Sequence, residues 1–402
     1  EMLRSLVGSE MCIRDRLLTD MENEKLLCRN EVSHDESQEI EKANFSALTL
    51  MLAQECNMRC SYCYGEGGEY NNKGIMTENV AFQAIDYLVK NSTDELLHIA
   101  FLGGEPLLNF PLLKKVVEYC KQISADTGKK FSYTITTNGT LITDNIEKYL
   151  TENKIVCQIS LDGTKEKNDM NRFFRNKKGS YDVIVEKTKS MRHMNLVTAR
   201  ATVTPDNSDY KEIFNHLNEL EFRAIPIAIA QNMVDDEQFD KILSEYINYI
   251  FYFEELILTK QYAKAKKMTD LVNALEKIEF GNVRNNGCGA GRTMFAVDID
   301  GTLYPCHRFV GERKFALGNI WTGSDNSKFL KMINVRNRDK CSKCWAQNLC
   351  LGCCPHENYT NTNNINLASE RSCRMAKTIY EKLISVYIKM SDEDKKMMWP
   401  ED

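Results

Sequence analysis

The chain of 402 residues has no long stretch of any one character. Its longest apolar runs, such as Ile225–Ala230, fall far short of the roughly eighteen residues that cross a bilayer, so no transmembrane helix is predicted. No block of lysine and arginine occurs and the net charge is −5, which excludes a broad phosphate-binding footprint for nucleic acid. Glycine (20) and proline (7) are too few, beside 43% hydrophobic residues, for a collagen-like or low-complexity chain. The first twenty residues lack an apolar stretch followed by a small-residue cleavage site, so a secretory signal is not expected and the cytoplasm is the predicted compartment. Glu1–Arg16 resembles nothing that follows and reads as non-native sequence, with Met21 as a native start. Partners are expected among small molecules and peptides.

What the chain does have is cysteine, fifteen in all, with none between Cys157 and Cys288. In a cytoplasmic chain thiols stay reduced, so clustered cysteines point to metal or catalysis before disulfides. Cys12, Cys28, Cys120 and Cys157 are scattered and read as buried or incidental thiols. The other eleven form two groups, Cys56, Cys60 and Cys63 near the start, and Cys288, Cys306, Cys341, Cys344, Cys350, Cys353, Cys354 and Cys373 near the end.

Between the groups, β-branched segments alternate with amphipathic ones, the pattern of βα units around a parallel sheet. Strands are predicted at Ser46–Ala53, Leu96–Leu102, Phe131–Thr137, Lys154–Leu161, Leu196–Thr204 and Arg223–Ala230. Helices are predicted at Met76–Lys90, Phe110–Ser124, Asp144–Glu152, Tyr181–Met194 and Ser208–Leu220. Six units are too few for an eight-stranded closed barrel, so the expected class is α/β, a partial (β/α)6 TIM-like barrel. The expected divisions are an N-terminal extension (1–43), the barrel (44–234), a charged helical bridge (235–281), a cysteine-rich domain (282–375) and a C-terminal helix and tail (376–402). The cysteine-rich part is poor in aliphatic core and is expected to need metal staples.

Cys56-x3-Cys60-x2-Cys63 directly follows the first predicted strand, on the face that carries active sites in barrels. Three thiolates suit a four-iron cluster with one iron left without a protein ligand. A zinc site completed from elsewhere, or plain packing, remains the alternative. Gly103-Gly104-Glu105-Pro106 follows the second strand, its glycines allowing close backbone approach and Glu105 offering a carboxylate to an amine. Thr137-Asn138-Gly139 and Ser160-Leu161-Asp162-Gly163 end the third and fourth strands on the same predicted rim.

Over about Asn44–Ala230 the sequence resembles the radical S-adenosylmethionine (SAM) enzymes, in the cluster loop Cys56–Cys63 with its aromatic Tyr62 and in the Gly103–Pro106 motif. The resemblance implies that Cys56, Cys60 and Cys63 hold a [4Fe–4S] cluster, that Tyr62 contacts SAM, and that Gly103, Gly104 and Glu105 receive its amine. It also places Asn138, Ser160, Arg172 and Arg200 toward the cofactor. In that family SAM chelates the open iron and is reductively cleaved to a 5′-deoxyadenosyl radical that abstracts hydrogen from unactivated carbon.

The later cysteines run Cys288, then Gly301-x4-Cys306, then Cys341-x2-Cys344-x5-Cys350-x3-Cys354, then Cys373. This order resembles the SPASM extension of a subset of radical SAM enzymes; a zinc ribbon of Cys341, Cys344, Cys350 and Cys354 is the alternative. The resemblance implies two auxiliary clusters, one on Cys341, Cys344, Cys350 and Cys373 and the other on Cys288, Cys306 and Cys354, three [4Fe–4S] clusters in all. Cys353 stays open as a spare thiol, a ligand in another register, or a packed thiol.

In the anaerobic sulfatase maturases of this architecture an aspartate follows the cysteine of the Gly-x4-Cys motif and acts as base; here that residue is His307, which can also accept a proton. With the short segments Tyr64–Tyr70 and Cys354–Tyr359, this departure suggests a maturase of ribosomally made peptides. The expected partners are a precursor peptide and an electron donor such as flavodoxin or ferredoxin. The expected reaction is peptide modification, with a thioether crosslink as one outcome. Formylglycine formation on a sulfatase and a non-catalytic iron–sulfur or zinc scaffold are the rival readings.

Overall fold

A computed structural model describes residues 43–281 and 287–400. The expectations for Glu1–Arg16, Met21, Cys12 and Cys28 lie outside the described residues. The described chain forms two compact units, one from residues 43–269 and 289–330, the other from 270–281, 287–288 and 331–400.

The first unit is built on one open sheet. Six of its strands are β1 (Ala47–Gln54), β3 (Leu96–Gly103), β4 (Lys130–Thr137), β5 (Val156–Ser160), β6 (Val197–Val203) and β7 (Ile227–Ile229), all parallel to their neighbours and ordered β1-β3-β4-β5-β6-β7. These are the six predicted strands: β1, β3 and β4 lie within one residue of the predicted ends, and β5, β6 and β7 are shorter than predicted. β1 is buried along most of its length, whereas β3, also interior to the sheet, alternates half-buried and buried residues after an exposed Leu96. Helices return the chain between strands where the sequence caps them: Thr77 accepts from Val80 N ahead of Glu78–Lys90, and Thr143 from Ile146 N ahead of Asp144–Glu152. The single helix predicted over Tyr181–Met194 is instead two short ones, Tyr181–Lys187 and Lys189–His193. The long helix Asp236–Leu258 packs on Tyr210–Glu219, with the Tyr210 and Tyr246 rings 4.9 Å apart edge to face.

The sheet does not stop at β1. A short β2 (Gly74–Ile75) pairs antiparallel with the end of β1, and β8 (Met294–Val297) runs parallel along β1 on the side away from β3. β9 (Thr302–Tyr304), β10 (Gly318–Asn319) and β11 (Gly323–Ser324) then add on antiparallel. Residues 289–330 were expected to be held mainly by metal. They also bury apolar side chains, Phe295, Ala296, Val297, Leu303, Tyr304 and Phe309 being essentially inaccessible, and Phe295 packs on Phe45 and Tyr87. β8 to β11, of two to four residues and without α-helices between them to mark βα units, carry too little periodicity to be read from sequence.

In the second unit the helix Glu370–Lys389, capped by Ser369, packs against the helix that ends at Glu279; Lys277 Nζ donates to Tyr380 Oη at 3.2 Å, and Phe280 meets Trp399 edge to face. No helix among the described residues is long and apolar enough to cross a membrane.

Candidate active site

Beyond Gln54 the chain leaves β1 as an irregular loop carrying Cys56, Cys60 and Cys63, all half-buried. The loop is held by backbone contacts. Arg59 Nη1 donates to the carbonyls of Cys56 and Met58 at 2.9 and 2.7 Å. The strip Asn171–Arg175 runs alongside: Arg59 N donates to Phe173 O, Ser61 N to Asn171 O, and Arg175 Nη2 to Cys56 O. Asn138 reaches over from the end of β4, its Nδ2 2.9 Å from Asn57 Oδ1 and 3.8 Å from Cys56 Sγ. Burial, opposed by the Met58 N–H, pushes the Cys56 thiol up to about 11.

Gly103 and Gly104 bring the end of β3 against the end of β1. Gly104 N donates to Ala53 O at 2.7 Å and Glu105 N to Glu55 O at 2.8 Å. A Cβ at Gly104 would fall 2.3 Å from the Glu55 carbonyl oxygen, which is backbone and cannot rotate away. Gly104→Ala is therefore expected to destabilise the fold by about 1–3 kcal/mol through forced separation of the two strand ends; chemical denaturation checks this, and unchanged stability would mean the strand ends part freely.

The Glu105 carboxylate is fully buried and accepts from Leu107 N (3.1 Å), Thr137 Oγ1 (2.7 Å) and Asn138 N (2.8 Å). A carboxylate has about four acceptor positions, and three are filled from within. Glu105 thus ties the end of β3 to the end of β4, a bracing role the sequence did not reveal.

Tyr62 lies in a buried polar trio. Its hydroxyl donates to Asp162 Oδ2 and accepts from Arg172 Nη1, both at 2.5 Å, and Arg172 stands 3.9 Å from Asp162 Oδ1. Asp162 also accepts from Thr202 N at 2.9 Å. Burial raises the Asp162 pKa, opposed chiefly by the Arg172 guanidinium. The Arg172 Nε is buried without a partner. Asp162 was visible in the sequence only as part of a strand-end motif; a carboxylate two residues beyond a parallel strand was the available signal. Ser160 and Arg200 are register partners on β5 and β6, which sets both at the same end of the sheet.

His307 follows Cys306 and opens the short turn His307–Phe309 in the first unit. Burial, with the positive charges of Arg308 and Arg200, pushes its imidazole down to about 4, which favours the neutral form. Beside it the Arg308 guanidinium lies over the Tyr64 ring at 5.6 Å.

In the second unit Cys341, Cys344, Cys350, Cys353 and Cys373 line one cavity of about 530 Å³, together with Lys340, Arg374 and Lys377. Cys354 is not in that lining. Cys288 and Cys354 belong to the second unit and Cys306 to the first. Among the described residues no three cysteine, histidine or carboxylate side chains converge closely enough for a single metal ion. The thiol-only sets suit an iron–sulfur cubane, which spreads its thiolates over separate irons.

Residues 51–220 match the radical SAM superfamily and residues 288–345 the SPASM iron-sulfur cluster-binding domain. The chain is 26% identical over 373 residues to a cysteine-type anaerobic sulfatase-maturating enzyme of Clostridium novyi, covering 85% of this chain and 96% of the relative. Its fold resembles that of native anSMEcpe with bound AdoMet and Cp18Cys peptide (TM-score 0.72, 22% identity, 86% and 100% of the two chains). It also resembles Streptococcus suis SuiB bound to precursor peptide SuiA (TM-score 0.54, 16% identity, 83% and 76% of the two chains). Three thiols on the loop after β1, a glycine pair locking that loop to β3, and two matched domains in the expected order lead to one assignment: the chain belongs to the radical SAM superfamily and is an enzyme of it with a SPASM domain.

Proposed function

We propose that this enzyme modifies a peptide, using the rim formed by the ends of β1, β3, β4, β5 and β6 to hold SAM. The observation that carries the reading is the convergence on one sheet end of the Cys56–Cys63 loop, the Gly103–Glu105 turn, Asn138 and the Tyr62–Asp162–Arg172 trio. A four-iron cluster on Cys56, Cys60 and Cys63 would supply the electron that cleaves SAM to a 5′-deoxyadenosyl radical. The chain's own residues position the cofactor: Glu105 keeps one acceptor site for an amine, and Arg172 fixes Tyr62 against rotation. Peptides occupy the related anSMEcpe and SuiB structures, which supports a peptide substrate here. We further assign three clusters per chain, with Cys341, Cys344, Cys350 and Cys373 supplying one auxiliary set, and a flavodoxin or ferredoxin as reductant.

His307 acts on the substrate side in this reading, its neutral imidazole accepting a hydrogen bond that orients the peptide. His307→Ala is expected to leave formation of 5′-deoxyadenosine measurable while product falls on the order of 10²-fold. Equal loss of both, with iron retained, would count against a role confined to substrate. The test of the whole reading is anaerobic turnover with SAM, a reductant and a deuterated peptide: deuterium in 5′-deoxyadenosine is expected, and a colourless, zinc-bearing protein would end it.

Formylglycine formation is the second reading, favoured by the 96% coverage of the Clostridium novyi relative. A sulfatase-derived cysteine peptide separates the two: conversion to an aldehyde supports that reading, and no conversion beside turnover of a cysteine-rich precursor supports ours.

A further inference from the structure

Leu351, Gly352 and Cys353 turn left-handed in succession, with φ of 55°, 79° and 62°. Two of the three carry a Cβ, and such a conformation persists only where its surroundings fix it. They do so here through the Gly352 carbonyl, which accepts from Arg338 Nη1 at 2.8 Å and from Asn358 Nδ2 at 2.9 Å. A Cβ at position 352 would come within 2.4 Å of the same Arg338 nitrogen. The reversal carries Cys353 Sγ back to 3.5 Å from Cys350 Sγ. Both line the cavity that also receives Cys341, Cys344 and Cys373.

Five thiols therefore face a site whose cluster has four irons, one thiolate to each. Thiolates on two different irons of a cubane are separated by the breadth of the cluster, well beyond sulfur–sulfur contact. Cys350 and Cys353, already in contact, address the same corner. We propose that Cys350 and Cys353 are alternative ligands to one iron of the cluster held by Cys341, Cys344 and Cys373, either one completing the site when the other is absent. The inference rests on the reading that this cavity holds an iron–sulfur cluster. Exchange is balanced without an oxidant or reductant: the entering thiol gives up its proton as its sulfur–iron bond forms, and the departing thiolate takes one up as its bond breaks.

The test uses the full chain, reconstituted anaerobically with iron and sulfide, and follows iron release to a chelator. Cys350→Ala and Cys353→Ala are each expected to release iron within about twofold of the parent, whereas the Cys350→Ala/Cys353→Ala double variant and Cys341→Ala release one cluster's iron at least tenfold faster. Low-temperature electron paramagnetic resonance of the reduced protein supplies a second readout, with the Cys350→Ala signal shifted but present. Fast release from Cys350→Ala alone or from Cys353→Ala alone would overturn the proposal, as would slow release from the double variant. If Cys341→Ala also holds its iron like the parent, the cluster reading of the cavity fails; if only Cys341→Ala and Cys350→Ala lose it, that reading stands and the exchange alone is refuted.

Discussion

Replacing Cys56, Cys60 and Cys63 together with alanine is expected to reduce SAM cleavage to the background without enzyme, and to lower bound iron by about four per chain, one cubane's content. The three thiols come from one loop after β1, and no other cysteine of the first group exists to substitute. The loop's shape rests on Arg59, Ser61 and the Asn171–Arg175 strip rather than on the thiols, so the sheet should survive the change. The cavity lined by Cys341, Cys344, Cys350 and Cys373 is built from other elements and should keep its iron. Anaerobic iron and sulfide analysis with chromatographic detection of 5′-deoxyadenosine reads both quantities. Cleavage persisting in the triple variant would sink the assignment of this loop.

The second large effect concerns the trio behind Tyr62. Arg172 and Asp162 are both buried, with side-chain exposures of 8% and 1%, so removing either leaves a charge without its partner. Breaking a buried pair in this way costs about 3–5 kcal/mol. Arg172→Met should accordingly lower the apparent melting midpoint by on the order of 10 °C at a few degrees per kcal/mol. Tyr62→Phe, which removes hydrogen bonds but no charge, should cost less, about 1–3 kcal/mol. The double variant Arg172→Met/Asp162→Asn should recover part of the loss, since the residual carboxylate is gone, and the non-additivity measures the coupling. Melting of Arg172→Met within 2 °C of the parent, a shift of under roughly 1 kcal/mol, would mean water replaces the guanidinium there.

The six parallel strands could be read because each pairs β-branched or aliphatic residues with a following amphipathic helix, as in Leu96–Gly103 ahead of Phe110–Thr127. The cysteine loop and the glycine pair were legible for a different reason: their spacing matches a chemistry. Arg172 lay in a charged run and gave no sign of burial; only the fold closes it against Tyr62 and Asp162. Glu105 was legible as a carboxylate at a strand end but not as a brace, because its partners Thr137 and Asn138 are more than thirty positions away. The place of Cys353 was hidden by its backbone. Its sequence offset from Cys350 says nothing of a left-handed reversal, and an extended path would set the two thiols on opposite faces.

The way β8 lies along β1 bears on where this protein can be cut. β1 has β3 on one side and β8 on the other, and β8 comes from residues that follow the gap in cysteines. A gene fragment ended near residue 281, where composition suggests a seam, would strip β1 of that neighbour and leave its amide and carbonyl groups as an open template for self-association. A fragment ended after 330 would retain β8 to β11 and with them a finished sheet border. Recombination between relatives, natural or engineered, should accordingly favour exchanges that take β1 and β8 from one parent, and residues 270–281 and 331–400 from one parent.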